Sequence, residues 1–414
     1  MINLSEAQKE IVTSPIGTPL QILASAGSGK TRVLTERIRF ILDNTKKDRV
    51  IALTFTNKAA EEMHERLADV DGIESRAWIS TVHAIAQRML EQYGHTIGLP
   101  SELQIYDRDK DRMEVFLQSL RDEGVDIDTY LNIEDSKEKK NRQQVMQDYM
   151  DTFSVIKREL LSPDEVDERY SIESGVRKIY EDYQNALLAS GGIDYDDILI
   201  YAHKLLLTQE WIAELYRAKY RHICVDEAQD LNKAQYEFIN AFCGDQIKSV
   251  LMVGDPNQMI YGFNGSSEIY LTTLFVDQYK PKQFKLTENY RSTKAVIRVA
   301  NKLKPNSQTV HDMALEGYFY KQPCDDEYAE AQWVVNCIAE LLKLNRHPEI
   351  EGIISLDNMV VIARNRFIFN ALVASLESHN ISFNFKKGER QAEPTSLFGK
   401  ILDFSIRIKL NPKD

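Results

Sequence analysis

The segment ASAGSGKT, residues 24–31, has the composition of a loop that binds phosphate groups. It follows the apolar run 20–23 and precedes the helical pattern TRVLTERIRFIL, which is the strand–loop–helix context that such a loop requires. Gly27 and Gly29 allow the backbone to curl, so that amide N–H groups point inward at phosphate oxygens. The N-terminus of the following helix adds the positive end of its dipole. The segment therefore predicts a nucleotide-binding site.

The side chains at the end of this loop define the expected ligands. Lys30 would reach the β- and γ-phosphates of ATP, and the Thr31 hydroxyl would bind Mg²⁺. A chance glycine-rich turn is the alternative, and the flanking pattern argues against it. Ala24 stands where the general pattern has glycine. The predicted phosphate cradle consists of Ala24, Ser25, Ala26, Gly27, Ser28, Gly29, Lys30 and Thr31.

A second candidate group lies in the segment ICVDEAQD, residues 223–230, where an apolar run ends in two carboxylates. Asp226 would hold Mg²⁺, and Glu227 would polarise the attacking water. Two acids in an exposed loop would be an ordinary explanation for Asp-Glu alone. Together with the phosphate loop, however, the pair favours a site that hydrolyses ATP.

Short apolar runs and helical patterns alternate around these two segments, which is typical of β–α units on a parallel sheet. Residues 106–190 differ, because they are charged and rich in helix-forming residues. We therefore predict one ATP-binding domain, residues 1–105 plus 191–280, interrupted by a helical insertion, residues 106–190. The predicted strands are 20–24, 50–55, 77–81, 222–226 and 249–254.

A third region begins near Pro281 and reads as the start of a second α/β domain, residues 281–414. Helices are predicted at 295–303, 328–342 and 367–379, and strands at 359–363 and 381–385.

Composition restricts the class of protein. The net charge of −12 over 414 residues argues against coating nucleic acid by bulk charge, but a narrow groove with local donors and stacking surfaces remains compatible with it. The four cysteines show no metal-binding spacing, so we expect reduced thiols and assign no structural metal. With no membrane-length apolar run and no signal-peptide pattern at the start, we expect a cytoplasmic protein without membrane contact.

Several further segments resemble those of UvrD/Rep/PcrA-type superfamily 1 DNA helicases, in the family's order and over essentially the whole chain. Beyond the two segments above they are LSEAQKEIV near the start, TFTNKAAEEM (54–63), STVHAIA (80–86), IDYDDIL (193–199), VGDPNQMIYGFNG (253–265) and LTENYRS (286–292). The resemblance implies an α/β fold: a P-loop NTPase (RecA-like) parallel-sheet domain with a helical insertion, followed by an incomplete second RecA-like domain. ATP would lie between the two domains, and hydrolysis would open and close that cleft.

The resemblance also implies roles for residues around the nucleotide. Gln8 would contact the adenine, and Arg32 and Tyr290 would sandwich it. Gln258 would sense the γ-phosphate. Arg291 would act as an arginine finger from the second domain, neutralising charge in the transition state of phosphoryl transfer.

For DNA, the resemblance implies that Phe55, Tyr261 and Phe263 stack on bases, with Asn57 and His83 on the same path. Aromatic faces suit this role because they grip any base without sequence preference. Two alternatives stay open: Phe55 as a core residue of the run IALTF, and His83 as a hydrogen-bonded structural histidine.

The implied function is an ATP-dependent helicase or translocase that moves 3′ to 5′ on single-stranded DNA and at single-strand/duplex junctions, in repair or replication, with a loader or nuclease as a possible class of protein partner. The alternatives are a UvrD-like ATPase subunit of a nuclease or anti-phage complex, and a truncated fragment that binds ATP and DNA without turnover.

The family usually has Trp then Arg where this chain has Phe263 and Asn264, which keeps stacking but removes a charge. The family's later motifs are absent from the sequence, so we expect a truncated second domain and weak activity of this chain alone.

Overall fold

The structure is a computed structural model that describes residues 4–244 and 247–385. The chain forms two compact units. One consists of Met1–Ser292 and Ile297–Ala314, and the other of Thr293–Val296 and Leu315–Asp414.

The strands and helices follow one another along the chain as the sequence analysis predicts for an α/β fold. The strands are β1 (Leu20–Ala24), β2 (Val50–Thr54), β3 (Ala77–Thr81), β4 (Gln104–Tyr106), β5 (Gly192–Asp194), β6 (His222–Val225), β7 (Ser249–Gly254), β8 (Lys282–Leu286), β9 (Glu288–Asn289) and β10 (Thr309–Val310). The α-helices are α1 (Glu6–Val12), α2 (Lys30–Asn44), α3 (Asn57–Leu67), α4 (Ile73–Arg76), α5 (Val82–Tyr93), α6 (Asp109–Asp122), α7 (Ile127–Leu131), α8 (Ser136–Arg158), α9 (Pro163–Tyr170), α10 (Val176–Ala189), α11 (Asp197–Thr208), α12 (Glu210–Lys219), α13 (Lys233–Cys243), α14 (Phe275–Tyr279), α15 (Lys294–Leu303), α16 (Glu327–Leu344) and α17 (Asn370–Ser378).

A six-stranded sheet forms the centre of the first unit, in the order β3-β2-β6-β7-β1-β8. All five neighbouring pairs are parallel. Residues of β2, β6 and β7 are buried throughout, as expected for strands covered by helices on both faces, and this explains their continuous apolar runs. The predicted α/β fold with a parallel sheet is thereby confirmed.

The carboxyl ends of these strands set the position of the candidate site. Strands β1, β3 and β7 have the predicted bounds, but β2 ends at Thr54 and β6 at Val225, one residue earlier than predicted. Phe55 and Asp226 therefore lie just beyond the sheet, each directly after one of two neighbouring strands. Polar and aromatic side chains leave the hydrophobic core at this edge, which is where open parallel sheets bind ligands.

The sixth strand corrects the predicted boundary at Pro281. Strand β8 pairs with β1, with Ala24 opposite Leu286, so this segment completes the first sheet and does not open a second one. The sequence signal was weak because β8 is an edge strand in which Lys282, Gln283 and Lys285 are exposed. Charged residues are typical of edge strands because they discourage pairing with another chain.

Helices α6 to α10 fill the stretch between β4 and β5, where the sequence predicts a helical insertion. Their core contains Phe116, Phe153 and Tyr183, with ring centroids 5.3 Å apart for the two phenylalanines and 5.2 Å apart for Phe153 and Tyr183. Strands β4 and β5 pair in parallel where the chain leaves and re-enters the part that carries the large sheet.

In the second unit, α16 packs against α17 through Ala331, Val335, Leu372 and Leu376. The predicted helix 367–379 begins with a 3₁₀ turn and continues as α17. The strands predicted at 359–363 and 381–385 are wrong, because both runs are irregular and have no partner strand among residues 4–244 and 247–385. Residues 386–414 of the predicted second domain lie outside the described residues. In the part of the chain that the structure describes, no helix has the length and apolarity to cross a membrane.

Candidate nucleotide and DNA site

The predicted phosphate loop connects β1 to α2 in the conformation that its glycines allow. Gly27 has φ 71° and Gly29 has φ 85°, both in the left-handed region that favours glycine. Gly29 is the N-cap residue of α2 and has no side chain that could cap the first amides of that helix. Those amide groups form the positive end of a 15-residue helix, so the loop is suited to bind an anion.

Contacts from two other segments hold this loop in place. The Ser25 N–H donates to the carbonyl of Leu286 at 2.9 Å. The Gln8 side chain is buried and donates to the carbonyl of Ser28 at 3.1 Å, while its amide oxygen accepts from the Ser5 N–H at 3.1 Å. Gln8 thus lies beside the phosphate loop, and in this structure both ends of its amide are used within the protein.

Asp226 approaches the loop from the end of β6. The Thr31 hydroxyl donates to an Asp226 carboxylate oxygen at 3.3 Å, and the Glu227 N–H donates to the other at 3.0 Å. Burial and the neighbouring Glu227 raise the pKa of Asp226 to about 6. A buried carboxylate beside a hydroxyl is a donor set that suits a hard cation such as Mg²⁺, and a cation there would offset the cost of ionising Asp226.

Glu227 lies next to Asp226 and contacts Lys30, with 3.0 Å between the Lys30 Nζ and the Glu227 carboxylate. Lys30 is 9% exposed, whereas the Glu227 side chain is 36% exposed and reaches solvent. The backbone of Glu227 is left-handed, with φ 48°, which is uncommon for a residue other than glycine, asparagine or aspartate and often marks a functional position. The four predicted groups of the hydrolytic site, Lys30, Thr31, Asp226 and Glu227, therefore lie together.

Gln229 extends this group and was missed by the sequence analysis. Its amide donates to the Glu227 carboxylate at 2.9 Å, and its oxygen accepts from the Asp255 N–H at 2.9 Å. Asp255 in turn accepts a 2.6 Å hydrogen bond from the Gln258 amide. Gln258 is thus connected to Glu227 through two intermediate residues. The sequence feature that points to Gln229 is its position in the segment DEAQD, between Asp226 and Asp230.

The segment after β8 lies against the phosphate loop. The Tyr290 N–H donates to the Gly27 carbonyl at 2.9 Å. A Cβ on Gly27 would come within 2.3 Å of the Asn289 amide oxygen and 3.0 Å of the Arg291 Cβ, so only glycine permits this approach. Arg291 belongs to the same compact unit as the loop, and this corrects the expectation that it comes from the second domain.

Tyr290 and Arg32 flank the loop on the side of Gln8. Burial and a hydrogen bond with Glu288 raise the pKa of Tyr290, and the proximity of Ser5 and Arg32 opposes that shift. Tyr290 is also 4.8 Å from the His311 ring, centroid to centroid. The structure therefore brings Gln8, Arg32 and Tyr290 together at one end of the loop, the three residues predicted to surround the adenine.

Three predicted DNA-stacking residues form a row. The ring centroids of Phe55 and Tyr261 are 4.8 Å apart, and those of Tyr261 and Phe263 are 6.1 Å apart. Phe263 is 83% exposed, and Phe55 and Tyr261 are partly exposed. Phe55 therefore lies outside the core, and this excludes the interpretation of Phe55 as a core residue. We refer to Phe55, Tyr261 and Phe263 as the aromatic row.

Asn57 and His83 lie shortly after the ends of β2 and β3, respectively. His83 stacks on Tyr195 with ring centroids 4.3 Å apart, and burial lowers its pKa to about 4. A neutral imidazole at pH 7 can donate one hydrogen bond but brings no positive charge. Asn57 is the exposed first residue of α3. A cavity of about 30 Å³ is lined by Phe55 and His83 as well as by Asp226 and Glu227.

The family model for the UvrD/REP helicase N-terminal domain matches residues 4–280, which include the phosphate loop, both carboxylates and the aromatic row. The chain belongs to the UvrD/Rep helicase family. The resemblance inferred from the sequence segments is thereby confirmed.

Individual UvrD/Rep relatives agree with this assignment. The chain is 33% identical to a DNA helicase II of Haemophilus influenzae over 73% of its own length and 40% of that protein. It is 29% identical to the ATP-dependent DNA helicase PcrA of Bacillus subtilis over 99% of its length and 54% of that protein. It is 34% identical to PcrA of Staphylococcus epidermidis over 74% and 40%, respectively. The chain thus spans about half the length of the curated relatives it matches.

Proposed function

We propose that this chain is the ATP-binding part of a motor that uses ATP hydrolysis to move along single-stranded DNA. One observation carries the proposal: the candidate hydrolytic carboxylates and the aromatic row emerge from adjacent strands at one edge of one sheet. Phe55 follows β2, Asp226 and Glu227 follow β6, and Tyr261 and Phe263 lie on the loop after β7. Relatives named ATP-dependent DNA helicases support this proposal.

In this proposal the phosphate loop binds the nucleotide through its backbone amides and Lys30. Lys30 would exchange its contact with Glu227 for the phosphates, which frees the Glu227 carboxylate to orient a water and accept its proton. Gln8, Arg32 and Tyr290 would hold the adenine. Arg291 would face the transferred phosphoryl group from the segment that packs on Gly27.

Thr31 and Asp226 would hold the magnesium ion. An ion held there would supply positive charge against the phosphates of the nucleotide. The protein's own contribution is to keep a carboxylate buried beside the Thr31 hydroxyl, at a cost in stability that the ion would offset.

The first prediction tests this cost. Because burial raises the pKa of Asp226 from 3.8 to about 6, the folded protein retains the proton that the unfolded chain releases, and stability falls as the pH rises from about 4 to about 6. Asp226→Asn is therefore expected to stabilise the magnesium-free protein by up to about 3 kcal/mol above pH 6. The gain should shrink towards pH 4. Thermal unfolding between pH 4 and pH 8 in a chelator measures it.

Magnesium provides the second arm of this test. Adding Mg²⁺ at pH 7.5 should raise the melting temperature of the wild type and leave Asp226→Asn unchanged. Asp69→Asn is the matched control, because Asp69 is exposed and Arg39 lowers its pKa. If Asp226→Asn is no more stable than wild type above pH 6, Asp226 does not belong to the proposed ion site. The same holds if Mg²⁺ raises the melting temperature of Asp226→Asn as much as that of wild type.

The path from hydrolysis to movement runs through the loop after β7. Glu227, Gln229, Asp255 and Gln258 form a continuous hydrogen-bonded chain, and Gln258 lies three residues before Tyr261. A change in the contacts of Glu227 or Gln258 on hydrolysis would therefore move the segment that carries two members of the aromatic row. We propose 3′-to-5′ movement and action at single-strand/duplex junctions from the family assignment.

The second prediction tests the function itself. Single-stranded DNA is expected to stimulate the weak ATP hydrolysis of this chain, and Phe263→Ala to raise the half-saturating DNA concentration by about 5- to 150-fold, the equivalent of one lost stacking contact of roughly 1–3 kcal/mol. The increase should be similar for poly-dT and mixed sequences because stacking does not read base edges. Steady-state phosphate release over a DNA titration at fixed salt is the measurement.

Phe367→Ala is a suitable control for Phe263→Ala, because Phe367 is also more than 80% exposed but belongs to the second unit. An unchanged DNA requirement in Phe263→Ala, or a loss confined to one sequence, would exclude Phe263 from base stacking. Wild-type protein whose ATPase does not respond to DNA, and which does not bind DNA, would contradict the proposed function.

A further inference from the structure

Arg158, the last residue of α8, lies where three segments of the first unit meet. Its Nε is 2.9 Å from the Asp196 carboxylate, just after β5. Its Nη1 donates to the side-chain oxygen of Asn264, which follows Phe263. Arg158 thus joins the helical insertion to the loop that carries the aromatic row.

The main chain at Arg158 is fixed by its neighbour. Lys157 is fully buried and contacts Asp194 at 2.6 Å and Asp197 at 2.9 Å. Tyr183 and Arg112, from two other helices of the insertion, also contact Asp194, at 3.0 Å and 3.4 Å. Breaking such a buried, multiply paired network is costly, so the guanidinium of Arg158 projects from a rigid base.

The side chain of Asn264 accepts this hydrogen bond from Arg158, and its N–H donates to the Tyr261 carbonyl at 2.8 Å. Asn264 ends a short 3₁₀ turn, Gly262–Asn264, whose side chains are partly or fully exposed. Gly265, which follows it in a left-handed conformation, lies beside Asn232 and Arg158: a Cβ on Gly265 would be 3.8 Å and 3.9 Å from the Cβ atoms of these two residues, in ordinary van der Waals contact. The segment after the turn is held by hydrogen bonds from Ser266 and Ser267 to the carbonyls of Asp230 and Leu231. Arg158 adds the contact at Asn264, directly beside Phe263, and so contributes to the position of that ring.

This contact lies at the position where the sequence departs from the family pattern. Family members usually carry arginine where this chain has Asn264, and the structure places an arginine directly opposite that asparagine. The guanidinium of this contact comes from α8 and not from the loop.

We propose that Arg158 is a positioning residue for DNA binding, which holds the aromatic row in place by hydrogen bonding to Asn264 and ties that row to the helical insertion. The proposal rests on the proposed function, because it assigns Arg158 to the same DNA path. It requires the side chain of Arg158 to act through Asn264. A direct contact of Arg158 with bases is not part of it.

An exchange of the two residues tests the proposal. Arg158→Asn is expected to weaken single-stranded DNA binding by roughly 3- to 30-fold, a loss that falls within the range of couplings between neighbouring side chains. Asn264→Arg alone should also weaken it, because two guanidinium groups would then face each other. The double variant Arg158→Asn/Asn264→Arg restores one donor and one acceptor and should bind within about 3-fold of wild type. Fluorescence anisotropy with labelled poly-dT at fixed salt is the measurement.

Two readouts keep the outcome unambiguous. A fluorescent ATP analogue should bind all four proteins equally, because the phosphate loop is unchanged. Rescue in the double variant is the readout that a merely structural role of Arg158 would not produce. If wild type binds DNA and the double variant binds no better than Arg158→Asn, or if Arg158→Asn binds like wild type, the positioning role is wrong. If wild type itself fails to bind DNA, the proposed function has failed instead.

Discussion

Lys30→Ala is expected to weaken ATP binding by about 10- to 100-fold, whereas Glu227→Gln should bind ATP at least as well as wild type and hydrolyse it about 10²- to 10⁴-fold more slowly. Lys30 is the buried cation of the phosphate loop, and its loss leaves phosphate charge uncompensated. Glu227 contacts Lys30 at 3.0 Å, so neutralising it releases the lysine for the nucleotide and removes only the proton acceptor.

Binding and turnover must be measured separately to distinguish these effects. Titration with a fluorescent ATP analogue gives affinity, and phosphate release at saturating ATP and DNA gives turnover. Lys137→Ala, which removes an exposed lysine from α8, serves as the matched control and should change neither. Equal losses of affinity in Lys30→Ala and Glu227→Gln would contradict the division of roles between cradle and base.

The sequence alone was sufficient for those parts of the site that combine local chemistry with a buried strand. The glycine-rich loop after an apolar run predicted a nucleotide cradle with Lys30, and the apolar run that ends in two carboxylates predicted Asp226 as its partner. A position of Phe55 outside the core was implied only by the family resemblance. Strands that are buried on both faces can be recognised as continuous apolar runs. The glycines of the phosphate loop indicate a left-handed backbone at their positions.

Contacts between segments distant in the chain could not be predicted in the same way. Arg158 and Asn264 are more than a hundred residues apart, and nothing in either neighbourhood indicates the other. Strand β8 was missed because an edge strand with exposed lysines lacks the apolar run of a central strand. That omission also misplaced Arg291, since the segment that carries it begins directly after β8.

The strands predicted at 359–363 and 381–385 failed for a related reason. An apolar run specifies a strand only when a neighbouring strand satisfies its backbone hydrogen bonds, and the described residues of the second unit supply none. Val360 and Ile362 are consequently 80% and 85% exposed. Helices α16 and α17 were predictable in the same region because a helix satisfies its backbone within itself.

Arg291→Ala is expected to lower DNA-stimulated ATP turnover by about 10³- to 10⁵-fold, the effect typical of an arginine finger. Contacts within the first unit fix the backbone of Arg291 beside Gly27 of the phosphate loop. The N–H groups of Arg291 and Ser292 both donate to the Asn289 side chain at 2.8 Å, and Tyr290 is hydrogen-bonded to Gly27. A backbone fixed in this way can direct a side chain at the nucleotide.

The loss of turnover in Arg291→Ala, compared with any loss of nucleotide affinity, decides between a catalytic and a binding role. A group that stabilises only the transition state lowers turnover and leaves nucleotide affinity nearly unchanged. Arg291→Lys should rescue little, because lysine lacks the planar fork that contacts two phosphoryl oxygens. Arg177→Ala, on the surface of the helical insertion where Arg177 pairs with Asp167, should behave like wild type. Turnover of Arg291→Ala within about tenfold of wild type, far short of an arginine-finger effect, would show that the charge compensating the transition state comes from another residue.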